Sequence, residues 1–144
     1  FRRSCIFSLL SLGCLCYYIN NMTKIAIIED DQVINQMYRM KFEAAGFDVA
    51  TASDGEAGVA IVKKFHPDLI LLDLQMPNMN GVEALSLIRA LPSHKQTPVI
   101  VLTNLGEEEA PDGLRKLGVH SYIVKADFTP RQVVERVKHA LNIR

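Results

Sequence analysis

Four stretches of the chain carry residues that could work together chemically. Glu29-Asp30-Asp31 offers three carboxylates in a row, and Asp73 ends the aliphatic run LILL. Thr103-Asn104 follows the run VIVL, and Lys125 follows SYIV. Carboxylates gathered in one place repel one another and lose hydration, so they need a counter-charge. Hard oxygen ligands on a crowded edge suit Mg²⁺, which uses few protein carboxylates and keeps several waters. Lys125 would supply a second positive charge, fixed rather than exchangeable. Metal, carboxylate, hydroxyl and ammonium are the parts of a phosphoryl-transfer site. An aspartate can act as nucleophile and form an aspartyl phosphate, while cations neutralise the equatorial oxygens. Asp73 is the best nucleophile because its strand is central, and the Thr103 hydroxyl is placed to bond the product. Each residue also has an ordinary reading: Asp31 as a helix N-cap, Thr103 as a β-branched strand residue, Lys125 as a solvated surface lysine. The ordinary readings do not explain the group.

What would bring the group together is a regular alternation of two periods. Short β-rich runs are Lys24–Ile28, Phe47–Ala52, Leu69–Leu72, Pro98–Leu102 and Ser121–Val124, with helical patterns between them. Val33, Met37, Met40 and Ala44 form one helical stripe, and Ala57, Ala60, Ile61 and Phe65 a second. Val82, Leu85 and Ile88, then Val133, Val137 and Leu141, complete the set. All four stripes are expected in the core. Ser53-Asp54-Gly55-Glu56 and Thr129-Pro130-Arg131-Gln132 fit capping boxes, and Gly46 fits a C-cap. The fourth helix, near Glu107–Leu117, is interrupted by Pro111 and Gly113 and should be short or kinked. Five strands alternating with five helices predict a (βα)5 α/β chain: a doubly wound parallel five-stranded sheet with helices on both faces. In such sheets the site lies beyond the carboxyl ends of the strands, where the four stretches fall.

The chain has 144 residues, enough for one domain with a real core. Its 16 basic and 16 acidic residues balance, with no long run of one sign. That argues against direct nucleic-acid binding through bulk charge. Cys5, Cys14 and Cys16 are the three cysteines, so the rest of the chain offers no disulfide framework or zinc site. Residues 1–21 stand apart: Arg2 and Arg3 precede an apolar stretch from Cys5 to Ile19, short of the roughly 20 residues of a spanning helix. An export signal, a membrane tether and upstream sequence ahead of a start at Met22 all fit. The start at Met22 is the favoured expectation, with 22–144 as the domain; membrane attachment follows only if residues 1–21 are genuine. No output domain is expected after the last helix, which should end near Asn142.

The chain from Met22 to about Asn142 resembles the CheY-like receiver domains of two-component response regulators. The resemblance rests on the acids Glu29-Asp30-Asp31 after strand one, Asp73 in D-x-x-M-P-x-x-x-G, Thr103 after strand four, and Tyr122-x-x-Lys125 on strand five. It implies a flavodoxin-like strand order 2-1-3-4-5 and a single-domain switch working in the cytoplasm. Asp73 would be the phosphoacceptor. Asp30, Asp73 and the backbone carbonyl of Gln75 would ligate Mg²⁺, with Glu29 acting through water. Lys125 would pair with Asp73 and then with the phosphoryl group. Thr103 would swing toward the phosphoryl oxygen, and Tyr122 would change rotamer in step. Pro77 and Gly81 would shape the loop after Asp73. The phosphoryl donor would be a histidine kinase or phosphotransfer protein in a phosphorelay. The downstream target would be a protein docking on the face of helix four, strand five and helix five. The chain would act as a signalling phosphoprotein rather than an enzyme.

Three positions depart from the family pattern. Asn104 replaces a usually small residue and narrows or hydrogen-bonds the phosphoryl site. Ala126 stands where a proline often supports a cis peptide after the lysine. Gln75 and Leu105 lie where side chains affect water attack on the phosphorylated form. A phosphatase with an aspartate nucleophile would need an acid at Gln75, and a flavin module would need a phosphate loop where this chain has acids. A protein-interaction module that is never phosphorylated is the remaining alternative.

Overall fold

Strand β1 (Lys24–Ile28), β3 (Leu69–Leu72) and β4 (Val99–Thr103) are apolar at nearly every position. That pattern belongs to strands covered on both faces, and the computed structural model places all three inside a five-stranded sheet. It describes residues 22–143; the expectations for residues 1–21 lie outside the described residues. The order is β2-β1-β3-β4-β5, with β2 at Asp48–Ala52 and β5 at Ser121–Val124. Every pairing is parallel, with Ile25 opposite both Val49 and Leu69, and Val101 opposite both Leu72 and Tyr122. The expected doubly wound α/β topology is the observed one. No described helix is long and apolar enough to cross a membrane.

The alternation of each strand divides the core in two. Ile25, Ile27, Leu69, Leu71, Ile100 and Leu102 meet helices α1 (Gln32–Ala44) and α5 (Pro130–Ala140). Ala26, Ile28, Ile70, Leu72, Val99 and Val101 meet α2 (Gly55–Phe65), α3 (Gly81–Ala90) and α4 (Gly113–Lys116). The fourth helical segment is broken as expected. It consists of one 3-10 turn, Glu107–Glu109, and the four residues of α4.

Two of the expected stripes are corrected. In α1 the buried face is Asn35, Tyr38 and Phe42, whereas Val33 is 80% and Met40 70% exposed. Counting apolar letters selected the outward face, because an asparagine and a tyrosine share the inward one. In α2 the buried residues are Gly55, Gly58, Val59 and Val62, and Ala60 is exposed. The helix rides close on β1, where a Cβ at Gly58 would stand 2.6 Å from Ile28 Cδ1. A glycine carries no apolar signal, so this face could not be counted. The cap of α2 is also corrected from Ser53 to Asp54, whose side chain accepts from the Ala57 amide. Elsewhere Thr129 and Gln132 form the expected box, and Gly46 takes the left-handed conformation just past α1.

Arg89 ties the α3 end of the fold together. Its guanidinium donates to four carbonyl oxygens: Leu117 at 2.8 Å, His94 at 2.7 Å, Thr97 at 2.8 Å and Gly118 at 3.2 Å.

Candidate functional site

The carboxyl ends of β1, β3, β4 and β5 deliver the four stretches to one edge of the sheet. Glu29 leaves β1, its amide donating to the Ala52 carbonyl at 3.0 Å, and Asp73 leaves β3, its amide donating to the Ile28 carbonyl at 3.0 Å. Both side chains are buried. Oxygens of Glu29, Asp30 and Asp73 lie within 4.8 Å of one another. Lys125 comes from the first residue after β5, and its ammonium donates both to Glu29 Oε2 and, at 3.4 Å, to Asp73 Oδ2. The lysine thus sits between two carboxylates rather than on Asp73 alone.

Three carboxylates against one ammonium leave the edge with an excess of negative charge. Glu29 is also the most deeply enclosed of the three. Burial pushes its carboxyl up, the hydrogen bond from Lys125 opposes, and the charge of Asp73 pushes it up again, for a net value of about 7. Asp31 does not join the cluster. Its carboxylate accepts from the Val33 and Ile34 amides at 2.9 and 3.0 Å and caps α1, so the ordinary reading holds for it.

The loop after Asp73 is fitted to it. The Gln75 amide donates to Asp73 Oδ1 at 3.2 Å, and the Gly81 amide donates to the Leu74 carbonyl at 3.0 Å. A Cβ at Gly81 would overlap the Asp73 carbonyl oxygen and stand 2.7 Å from Leu74 Cα. Only glycine lets α3 start this near to the end of β3. Asn80 caps that helix in a box with Glu83. Gln75 and Pro77 are exposed.

Thr103 is fully buried at the end of β4. Its hydroxyl accepts from the Leu105 amide at 3.4 Å, and the Tyr122 hydroxyl donates to the Leu105 carbonyl at 3.3 Å. The two side chains therefore meet at one residue, Leu105, the threonine at its amide and the tyrosine at its carbonyl. Burial raises the Tyr122 phenol, and the charges of Glu109, Glu107 and Asp73 add to it. Asn104 and Ala126 are exposed beside the site. Among the described residues every peptide bond is trans, including the one before Ala126.

A profile of the response regulator receiver domain matches residues 25–138. The chain belongs to the response regulator receiver family. This receiver is 40% identical over 121 residues to the transcriptional regulatory protein ResD of Bacillus subtilis, covering 84% of this chain and 49% of that one. It is 37% identical over 118 residues to SrrA of Staphylococcus aureus, covering 82% and 47%. The chain thus spans about half the length of the curated relatives it matches. Among solved structures, the chemotaxis protein CheY4 of Vibrio cholerae superposes with a TM-score of 0.76 at 30% identity, covering 82% of this chain and 98% of that one. The CheX–CheY–BeF3–Mg²⁺ complex of Borrelia burgdorferi gives a TM-score of 0.75 at 28% identity, covering 86% and 93%. The receiver fold and its place in two-component signalling follow from these matches.

Sequence reasoning placed Glu29, Asp30, Asp73, Thr103 and Lys125 at the carboxyl edge of the sheet, and the structure has them there; Tyr122, named by the resemblance, lies within β5 and reaches the edge through Leu105. It missed Asn35, whose buried amide donates to the carbonyls of Glu29 and Ala52. The available signal was a polar residue at helical spacing from Tyr38 and Phe42.

Proposed function

We propose that the chain is a cytoplasmic phosphorylation switch whose acceptor is Asp73. The observation that carries this reading is a buried carboxylate at the end of the central strand, flanked by two more acids and reached by Lys125. A buried acid with neither metal nor reaction to serve would be a poor use of a core position. The donor is a phosphohistidine of a histidine kinase or phosphotransfer protein. Asp73 Oδ attacks phosphorus, the P–N bond breaks, and the imidazole leaves with a proton.

The residues fit Mg²⁺: the donor set is hard oxygen, and one ammonium does not balance three carboxylates. Asp30, Asp73 and the Gln75 carbonyl would hold it, with Glu29 through water. When bound, it would neutralise charge on the transferring phosphoryl oxygens. The BeF3–Mg²⁺ composition of the Borrelia burgdorferi complex supports the same assignment.

Phosphorylation brings about −1.5 to −2 charge and three acceptor oxygens to Asp73. Lys125 exchanges a carboxylate for a phosphoryl oxygen. The Thr103 hydroxyl gives up the Leu105 amide and turns to another phosphoryl oxygen. Leu105 is then free to move, and Tyr122, bonded to its carbonyl, moves with it. The change leaves by the face of α4, β5 and α5, where a protein target docks.

The test is to incubate the chain with acetyl phosphate and Mg²⁺ and weigh it. One phosphoryl group is gained, and Asp73→Asn or chelation of the metal abolishes the gain. No gain from acetyl phosphate or from a cognate kinase would mean an interaction module that signals without phosphorylation.

A further inference from the structure

Glu29 and Asp30 are neighbours in sequence, yet both send carboxylate oxygens to the same spot beside Asp73. Successive residues of a strand point to opposite faces. The backbone must therefore leave the pleat at the Glu29–Asp30 peptide, directly after β1 ends at Ile28. That peptide is planar, so the orientation of its carbonyl sets the directions in which both residues depart. Outside the ladder the carbonyl needs a new partner, since a buried backbone acceptor is costly when left alone.

Asn35 is that partner. From the inward face of α1, its amide donates to the Glu29 carbonyl at 3.0 Å and to the Ala52 carbonyl at 3.1 Å. Ala52 ends β2 and also accepts the Glu29 amide. One buried side chain thus binds the carboxyl ends of two strands at the point where the acids turn. The network closes on itself: Glu29 Oε1 accepts from the Asp31 amide at 3.1 Å, Asp31 caps α1, and α1 carries Asn35. The other end of the amide does no such work, because Asn35 Oδ1 has no partner among the described residues. An apolar residue would avoid that orphaned acceptor, so what distinguishes asparagine here is its pair of donors.

We infer that Asn35 is a positioning residue for the acidic site, holding the Glu29–Asp30 peptide in the orientation that directs both carboxylates to Asp73. The inference rests on the proposed Mg²⁺-dependent acceptor. Groups that orient metal ligands typically change affinity by about 10- to 100-fold when removed.

The test uses the full chain, unphosphorylated, titrated with Mg²⁺ in a calorimeter, with urea unfolding alongside. Asn35→Leu removes both donors and raises the Mg²⁺ Kd about tenfold; Asn35→Ser, which keeps one short donor, raises it less. Val137→Ala, a core truncation in α5, lowers the urea midpoint and leaves the Mg²⁺ Kd unchanged. With acetyl phosphate, the half-saturating Mg²⁺ concentration of Asn35→Leu rises in the same proportion, while the rate at saturating Mg²⁺ changes far less. If Asn35→Leu does not fold, Asn35→Ser decides. Loss of stability with Mg²⁺ Kd values within twofold of the unaltered chain makes Asn35 merely structural and overturns the inference alone. An unaltered chain that binds no Mg²⁺ overturns the proposed site and this inference together.

Discussion

The two halves of the sheet are built differently. Around β2, β1 and β3 stand α1 and α2, with 13 and 11 residues. On β4 and β5, α5 with 11 residues covers one face, but the connection between these two strands on the other face has only a single 3-10 turn and a four-residue helix. The first half carries Glu29, Asp30 and Asp73 on short, fully paired strand ends. The second carries Thr103, Tyr122 and Lys125, with exposed acids at Glu107–Glu109 beside them. The acids thus sit on the well-supported half, and the groups proposed to answer a charge on Asp73 sit on the half with the sparse connection. A signal of this kind needs such an inequality: if both halves were equally stiff, a charge placed on Asp73 would displace nothing, and if both were equally slack, it would displace no particular part.

Lys125 spans the two halves, and removing it should have the largest effect on phosphorylation. Lys125→Met leaves Glu29 and Asp73 buried without their cation. Phosphorylation by acetyl phosphate should fall at least about 100-fold. Urea unfolding without Mg²⁺ at pH 8 should show a loss of about 3 kcal/mol. Next come matched truncations of the two halves. Leu71→Ala, in β3 itself, should cost about 4 kcal/mol, and Leu114→Ala in α4 about 2 kcal/mol, because a short helix can settle into the space. Equal costs in denaturant unfolding would remove the contrast.

The pH dependence of the metal-free chain sharpens the picture of the first half. Glu29 titrates at about 7 when folded and near 4.5 when unfolded. Between those values the folded chain binds more protons than the unfolded one. Its contribution is therefore fully present below pH 4.5 and is lost as pH rises toward 7. Unfolding free energies measured across that window should decline from this group, and Glu29→Gln should flatten the decline. The smallest effect is expected at Gly113. A Cβ there would meet only Val82 Cγ1, at 3.7 Å, so Gly113→Ala should stabilise by about 0.5–1 kcal/mol. Amide exchange in 107–118 should slow with it, and the response to phosphorylation should shrink.

The strands and the acidic edge were legible in the sequence because both follow simple rules. Buried parallel strands are apolar throughout, and a residue after such a strand lands at the carboxyl edge. The boundaries of β1, β3 and β5 match those read from Lys24–Ile28, Leu69–Leu72 and Ser121–Val124. Helix faces were harder to read. Phe42 and Tyr38 face the sheet with Asn35, while Met40 and Val33 face water, so apolar spacing alone chose wrongly. Gly58 was invisible for the opposite reason, since its contribution is an absence of side chain. Nor could spacing say that Lys125 would bond Glu29 as well as Asp73, because that depends on where the ammonium comes to rest between strands far apart in sequence.

The four carbonyls gathered by Arg89 have a mechanical consequence. Two belong to Leu117 and Gly118, where the weakly built segment rejoins the sheet, and two to His94 and Thr97, just ahead of β4. The segment is anchored at that end and held mainly by short turns at the other. It is therefore a lever with a fulcrum. Amide exchange should be slowest near Gly118 and faster toward Glu107, and Arg89→Met should even out that difference.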